Sequence, residues 1–200
     1  MSDTKQRLIE TATDLFLGKG YSAVGTAEIC SSAGVNKGTF YHFFASKSDL
    51  LIAAIEHYSV SFKDKFEQIS QTRAEPGDKL AALFDVPAEA NRLWREMNGF
   101  AQGCLLGNVI VELGSADETV RQAAQEALRQ WEQPIAPIVA EFAAAEGLAS
   151  LDTAKGARCV VAMLQGGLLM AKLNNDPSEI SAMAPAALGA LHSLALNSKD

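Results

Sequence analysis

The stretch Gly25–Lys47, GTAEICSSAGVNKGTFYHFFASK, constrains this chain more than any other. Apolar Ile29 and Ala33 lead into Gly34-Val35, and a second amphipathic segment starts at once. This order predicts two short helices joined by a tight turn, a helix-turn-helix. Gly34 supplies the backbone freedom that the turn needs, and Val35 fills the angle between the helices. Lys37, Gly38, Thr39, Tyr41 and His42 then occupy the start and one side of the second helix. That side is polar and small near its N-terminus. Such a surface can enter a major groove, where Lys37 meets phosphate or guanine acceptors and Gly38 lets the backbone come close.

A net charge of −7 argues at first against a nucleic-acid partner. Its distribution removes the objection. Residues 1–50 carry five basic and five acidic side chains, so the remaining 12 basic and 19 acidic ones hold the whole −7. With few cations in the reading segment, specific binding has to lean on hydrogen bonds and helix N-termini more than on bulk charge. Apolar residues at 48% and charged ones at 20% describe a folded chain, and 200 residues suffice for a large buried core. Neither a leader pattern nor a run long enough to span a bilayer is read: the longest mostly apolar run, Cys159–Ala171, is interrupted by Gln165 and too short. The expectation is a cytoplasmic protein with no membrane partner. Three cysteines, at 30, 104 and 159, have no metal-ligand spacing, and His57 and His192 are isolated, so no metal and no cofactor are expected.

Together with Lys5–Gly20 before it and Lys47–Leu51 after it, the reading segment resembles the N-terminal domain of TetR-type transcriptional regulators. Their usual string is close to I-A-x-x-A-G-V-S-K-G-T-x-Y-x-x-F-x-x-K-x-x-L. Here it stands as Ile29-Cys30-Ser31-Ser32-Ala33-Gly34-Val35-Asn36-Lys37-Gly38-Thr39-Phe40-Tyr41-His42-Phe43-Phe44, then Lys47 and Leu50. Cys30 replaces a small Ala, and Gly25 replaces the hydroxyl residue that commonly caps the first helix of the pair. Glu28 is expected to reach back to the cap amide in its place. The resemblance implies an all-α fold: a helix-turn-helix DNA-binding domain over residues 1–46, joined by a long helix to a helical regulatory and dimerisation domain over 47–200. It implies a homodimer that binds a palindromic double-stranded operator and is released by an effector.

Along the chain, Thr4–Leu17 reads as a first helix with Leu8, Ala12, Leu15 and Phe16 inward. It closes a core with Tyr21, Val24, Ile29, Phe40 and Phe44 and stops at Gly18 and Gly20. After Ser46 as N-cap, Leu51, Ile55, Tyr58, Phe62, Phe66 and Ile69 recur at spacings of three and four, one long helix that serves as a lever. Glu75-Pro76-Gly77 ends it, and the helix from Asp78 is expected to break or kink at Pro87. A short helix over Leu105–Leu113 and a longer one over Glu118–Ala145, bent near Pro134 and Pro137, come next. Two Ala- and Leu-rich helices follow, Thr153–Asn174 and Ser178–Leu196, whose apolar faces call for a second copy.

Several side chains carry two readings. Thr26 and Thr39 either bond phosphate or satisfy helix-start amides. Asn36 either reads a base or caps the second helix, and the cap is favoured. Lys37, Tyr41, His42 and Lys47 are assigned to DNA. Trp94, Met97, Phe100 and Trp131 either line an effector cavity or pack the core. Gly103-Cys104-Leu105-Leu106-Gly107-Asn108 is similar to the GCxxGN segment of a TetR subgroup that includes repressors responsive to electrophiles and oxidants. Just ahead of a helix, the Cys104 thiol feels a partial positive charge that favours thiolate. Lys172 either places a cation near that thiol or complements the end of its own helix. The leading function is therefore a ligand- or redox-controlled repressor. A cysteine-dependent enzyme lacks a base in any suggestive pattern, and a helical protein-binding scaffold is the remaining alternative.

Overall fold

A computed structural model describes residues 3–197, and the described residues form ten helical segments: α1 Asp3–Lys19, α2 Thr26–Ser32, α3 Lys37–Phe43, α4 Lys47–Ser70, α5 Pro76–Asn98, α6 Leu105–Leu113, α7 Glu118–Ala145, α8 Thr153–Asn174, α9 Ser178–Ser181 and α10 Ala184–Asn197. Among the described residues there is no strand. The chain divides into two compact units, one of residues up to Val60 together with Cys104–Ala127, the other of Ser61–Gly103 together with the residues from Leu128. This division differs from the sequence boundary at 46/47. Helix α4 runs unbroken past that point, and α6 clusters with the reading segment.

In the first unit the buried stripe of α1, Leu8, Ile9, Ala12, Phe16 and Leu17, meets Val24, Ile29, Phe40 and Phe44 and then Leu50, Leu51, Ala54 and Ile55 of α4. Expected core members Leu15 and Tyr21 are only half-buried. α1 packs on both α2 and α6. It also runs on to Lys19, past Gly18, and ends at Gly20, whose φ of +83° is left-handed. The α2–α3 turn has a complete local explanation. Gly34 sits at φ +64°, its amide donates to Ser31 O at 3.2 Å, and the Val35 amide donates to Cys30 O at 2.9 Å. These are the paired bonds of a Schellman ending. A side chain at Gly34 is strained whatever the space around it, so Gly34→Ala is expected to cost about 1–2 kcal/mol. The check is a lower thermal unfolding midpoint, and an unchanged one contradicts it.

In the second unit, Trp131 lies against Phe62 and Phe66 at centroid separations of 5.4 and 5.6 Å. Lys79, buried, donates to Ser70 O at 3.1 Å and pairs with Glu141 at 2.7 Å, which ties the start of α5 to the end of α4 and to α7. α5 packs on α8, α9 and α10. Pro87 does not break α5. It lies buried within one continuous helix, and its carbonyl accepts from the Asn91 side chain at 3.0 Å. The missing N–H removes one ladder bond, and the packed neighbours outweigh that loss. The expected single helix over Ser178–Leu196 is instead two, α9 and α10, interrupted at Ala182-Met183. Pro185 accounts for the interruption, because it has no N–H to continue the ladder back to Ser181. Gly167 lets α8 and α9 approach closely: a Cβ there would stand 3.1 Å from Ile180 Cα.

Candidate nucleic-acid interface

Helix α3 starts from Asn36, which has extended backbone and accepts from the Thr39 amide at 2.8 Å. The Thr39 hydroxyl donates to the same oxygen at 3.1 Å, so Asn36 caps the helix and Thr39 supports the cap. Phe40 faces inward and is fully buried. One turn apart on the outward face stand Lys37 and Tyr41, with Gly38 and His42 beside them, all exposed. Tyr41 is 55% exposed and rests edge-on against Phe40. The structure thus gathers four of the sequence-assigned residues on a single helix face. Thr26 is the first residue of α2 and half-buried.

Lys47 is placed differently from the sequence assignment. Its ammonium donates to Tyr21 O at 3.0 Å and Val24 O at 2.9 Å, and it lies 3.9 Å from the centre of the Tyr21 ring. Two of its three donors hold the loop between α1 and α2, and partial burial lowers its pKa against the opposing effect of Glu112. Glu28 does not reach back to the α2 cap. It pairs with Lys19, and Gly25 caps α2 with no side-chain bond. Arg7, which carried no sequence signal, donates to Ala33 O at 2.9 Å and secures the end of α2 to α1.

Sequence reasoning also missed Glu112, one residue from the end of α6. Its carboxylate accepts from the Tyr21 amide at 2.9 Å and the Ser22 amide at 2.6 Å. Desolvation pushes this carboxyl up, but the Ser22 and Tyr21 hydrogen bonds and the Lys47 charge outweigh it and hold the pKa below its ordinary value. Contacts spanning some ninety residues have no local pattern to announce them. At the other end of α6, Cys104 is the N-cap, 3% exposed, with its thiol hydrogen-bonded to the Tyr58 hydroxyl. Burial, with Cys104 adding to it, raises the Tyr58 hydroxyl well above its usual pKa.

The remaining effector candidates separate. Trp131 is core. Met97 is 75% exposed, and Phe100 is exposed with Trp94 edge-on to it. The buried Trp94 Nε1 has no hydrogen-bond partner. Lys172 lies on the last turn of α8 with its pKa lowered by desolvation, and it belongs to the second unit while Cys104 belongs to the first. The loop ahead of Cys104 is pinned by two amides. Asn175 accepts from Ala101 N at 2.8 Å and donates to Gly99 O at 3.2 Å. Asn91 accepts from Gly103 N at 2.8 Å and donates to Gly103 O at 3.2 Å. Among the described residues no cluster of His, Cys, Asp and Glu could hold a metal ion.

Two family models match the chain: "Bacterial regulatory proteins, tetR family" over residues 8–54, and "Tetracyclin repressor-like, C-terminal domain" over residues 76–187. Among curated proteins, the transcriptional regulator AcuR of Cereibacter sphaeroides is 33% identical over 88% of this chain and 79% of its own length. The transcriptional repressor DhaR of Mycobacterium sp. (strain GP1) is 30% identical over 86% and 85%. The repressor NemR of Escherichia coli (strain K12) is 26% identical over 64% and 62%. A crystal structure of a regulatory protein TetR from Rhodobacter sphaeroides superposes with a TM-score of 0.79 at 28% identity, covering 92% of this chain and 96% of that one. The reduced form of E. coli NemR has the same fold, with a TM-score of 0.75 at 21% identity over 92% and 95%.

Proposed function

Since this chain belongs to the TetR family of bacterial regulatory proteins, we infer that it is a homodimeric, sequence-specific transcriptional repressor whose two α3 helices read a palindromic operator. The observation that carries this reading is the outward face of α3, where Lys37, Gly38, Tyr41 and His42 stand exposed on a helix pair fixed by Gly34, Asn36 and Arg7. Lys37 supplies charge to phosphate or a guanine edge, Tyr41 and His42 supply directional contacts, and Gly38 keeps the backbone close to the groove. Lys47 and Thr39 act by positioning, and Thr26 remains a candidate phosphate contact at the start of α2.

A second copy of the chain accounts for the surface of α8 and α10. On α8, Gly166, Leu169, Met170 and Leu173 are exposed at helical spacing. On α10, Pro185, Ala186, Gly189, Ser193 and Leu196 form a matching stripe. By length and composition alone Thr153–Asn174 and Ser178–Leu196 could cross a membrane. Their inward faces, however, pack within the second unit, and small residues in both exposed stripes suit close helix–helix contact. We assign these stripes to dimerisation and the protein to the cytoplasm.

Release from DNA requires an effector that favours a second arrangement of the two heads. Cys104 is the proposed trigger. Its thiol is enclosed, so oxidation or an electrophilic adduct adds atoms where there is no room and displaces Tyr58 or the start of α6. The expected outcome is that hypochlorite or N-ethylmaleimide lowers operator affinity of the wild type at least about tenfold, with Cys104→Ser unresponsive. A Cys104→Ser protein that responds as the parent does removes Cys104 as the trigger. The repressor reading itself is tested by anisotropy titration of duplexes from its own promoter region at stated salt. Sequence-independent binding alone overturns it.

A further inference from the structure

We propose that Glu112 is a positioning residue that couples helix α6 to the reading head, by holding the loop between α1 and α2 on its amide side while Lys47 holds the same loop on its carbonyl side. The proposal rests on the DNA-reading function inferred above. Gly20, at φ +83°, turns the chain so that the consecutive amides of Tyr21 and Ser22 both meet the Glu112 carboxylate, at 2.9 and 2.6 Å. Successive amides presented in this way form an anion-binding concavity. The fit is close, since a Cβ on Gly20 would stand 3.4 Å from Glu112 Oε2. From the other side, Lys47 takes the carbonyls of Tyr21 and Val24 at 3.0 and 2.9 Å. The loop runs directly into α2, whose far end Arg7 secures through Ala33 O at 2.9 Å. Loop, α2 and the α2–α3 turn are thus joined in series.

Helix α6 has both ends tied within the same unit. Cys104 and Tyr58 meet at its start, and Glu112 grips the loop near its finish, about 12 Å away at 1.5 Å per residue. A short rigid helix held at both ends transmits displacement. If the start of α6 moves, the carboxylate leaves the loop amides, and Lys47 remains the loop's attachment to α4. By reciprocity, DNA that immobilises the head also holds α6 in the arrangement that encloses Cys104. A carboxylate that merely decorates a surface loop predicts no such link.

The experiment follows N-ethylmaleimide labelling of Cys104 by peptide mass spectrometry in the full-length protein, with and without a saturating duplex that the wild type binds specifically. Bound duplex is expected to slow Cys104 labelling of the wild type by about fivefold or more. Glu112→Ala is expected to bind the duplex at saturation yet lose the slowing, and Glu112→Gln, which keeps one acceptor oxygen, to fall between the two. Should Glu112→Ala fail to fold by far-UV circular dichroism, Glu112→Gln is read instead against the same criterion. Full slowing in the folded variant, or none in the wild type, overturns the coupling. Failure of the underlying DNA-reading function has a different signature: the wild type finds no specific duplex with which to begin the labelling.

Discussion

Leu169→Asp combined with Leu173→Asp is expected to give a folded monomer whose operator affinity is lower by roughly 100-fold or more. Leu169 is 65% and Leu173 73% exposed on α8, one turn apart. Within a single chain the two substitutions disturb nothing packed. In a dimer each buried leucine contributes about 1.5–3 kcal/mol, and its replacement would bury a carboxylate instead. Two covalently separate heads then lose the local concentration that a dimer gives the second half-site. Sedimentation velocity reads the assembly and anisotropy reads the affinity. A variant that remains dimeric places the interface elsewhere.

Tyr41→Ala should weaken operator binding by about 1–3 kcal/mol per head while random DNA is bound as before, because a base-edge contact carries sequence information. Lys37→Ala tests the other kind of contact. If Lys37 meets phosphate, affinity falls for all sequences alike, and the slope of log K against log salt shrinks by about one per head. If it meets guanine, the loss is confined to the operator. Lys37→Ala leaves the core beneath untouched, and Tyr41→Ala gives up only the ring's edge-on contact with Phe40, whose own burial carries the packing of α3. The thermal midpoints should stay near that of the parent. A Tyr41→Ala protein with wild-type operator affinity removes α3 from the reading surface.

What can be read from the sequence follows the range of the interactions. The α2–α3 turn depends on Gly34, Val35 and Asn36 within a few residues of each other, so its geometry is legible in the order of the residues alone. The same holds for the Ser46–Asp49 cap of α4, where the Asp49 amide donates to Ser46 Oγ at 3.0 Å and that hydroxyl returns a bond at 2.9 Å. Helices α6 and α8 also end where their patterns end. Proline misleads in both directions. Pro87 reads as a break or a kink, and α5 runs on through it as one continuous helix, whereas Pro185 does interrupt the last helix within a run whose Ala and Leu content reads as continuous. Long-range polar contacts leave no trace. Arg7 with Ala33, Glu112 with Tyr21 and Ser22, and Asn175 with Ala101 join segments that no local periodicity relates. Lys47 shows the cost of that blindness: its place in the motif suggests phosphate, whereas its ammonium is largely occupied by the loop it holds.

The central claim is that this chain, paired with a second copy, reads a specific duplex through α3. Its most direct measurement is a titration of the wild type at fixed salt against a duplex from its own upstream region and against a scrambled duplex of equal length and composition. The expected result is a preference of about a thousandfold or more for the upstream sequence, with two protected half-sites spaced by whole helical turns. Equal affinity for both duplexes contradicts the claim.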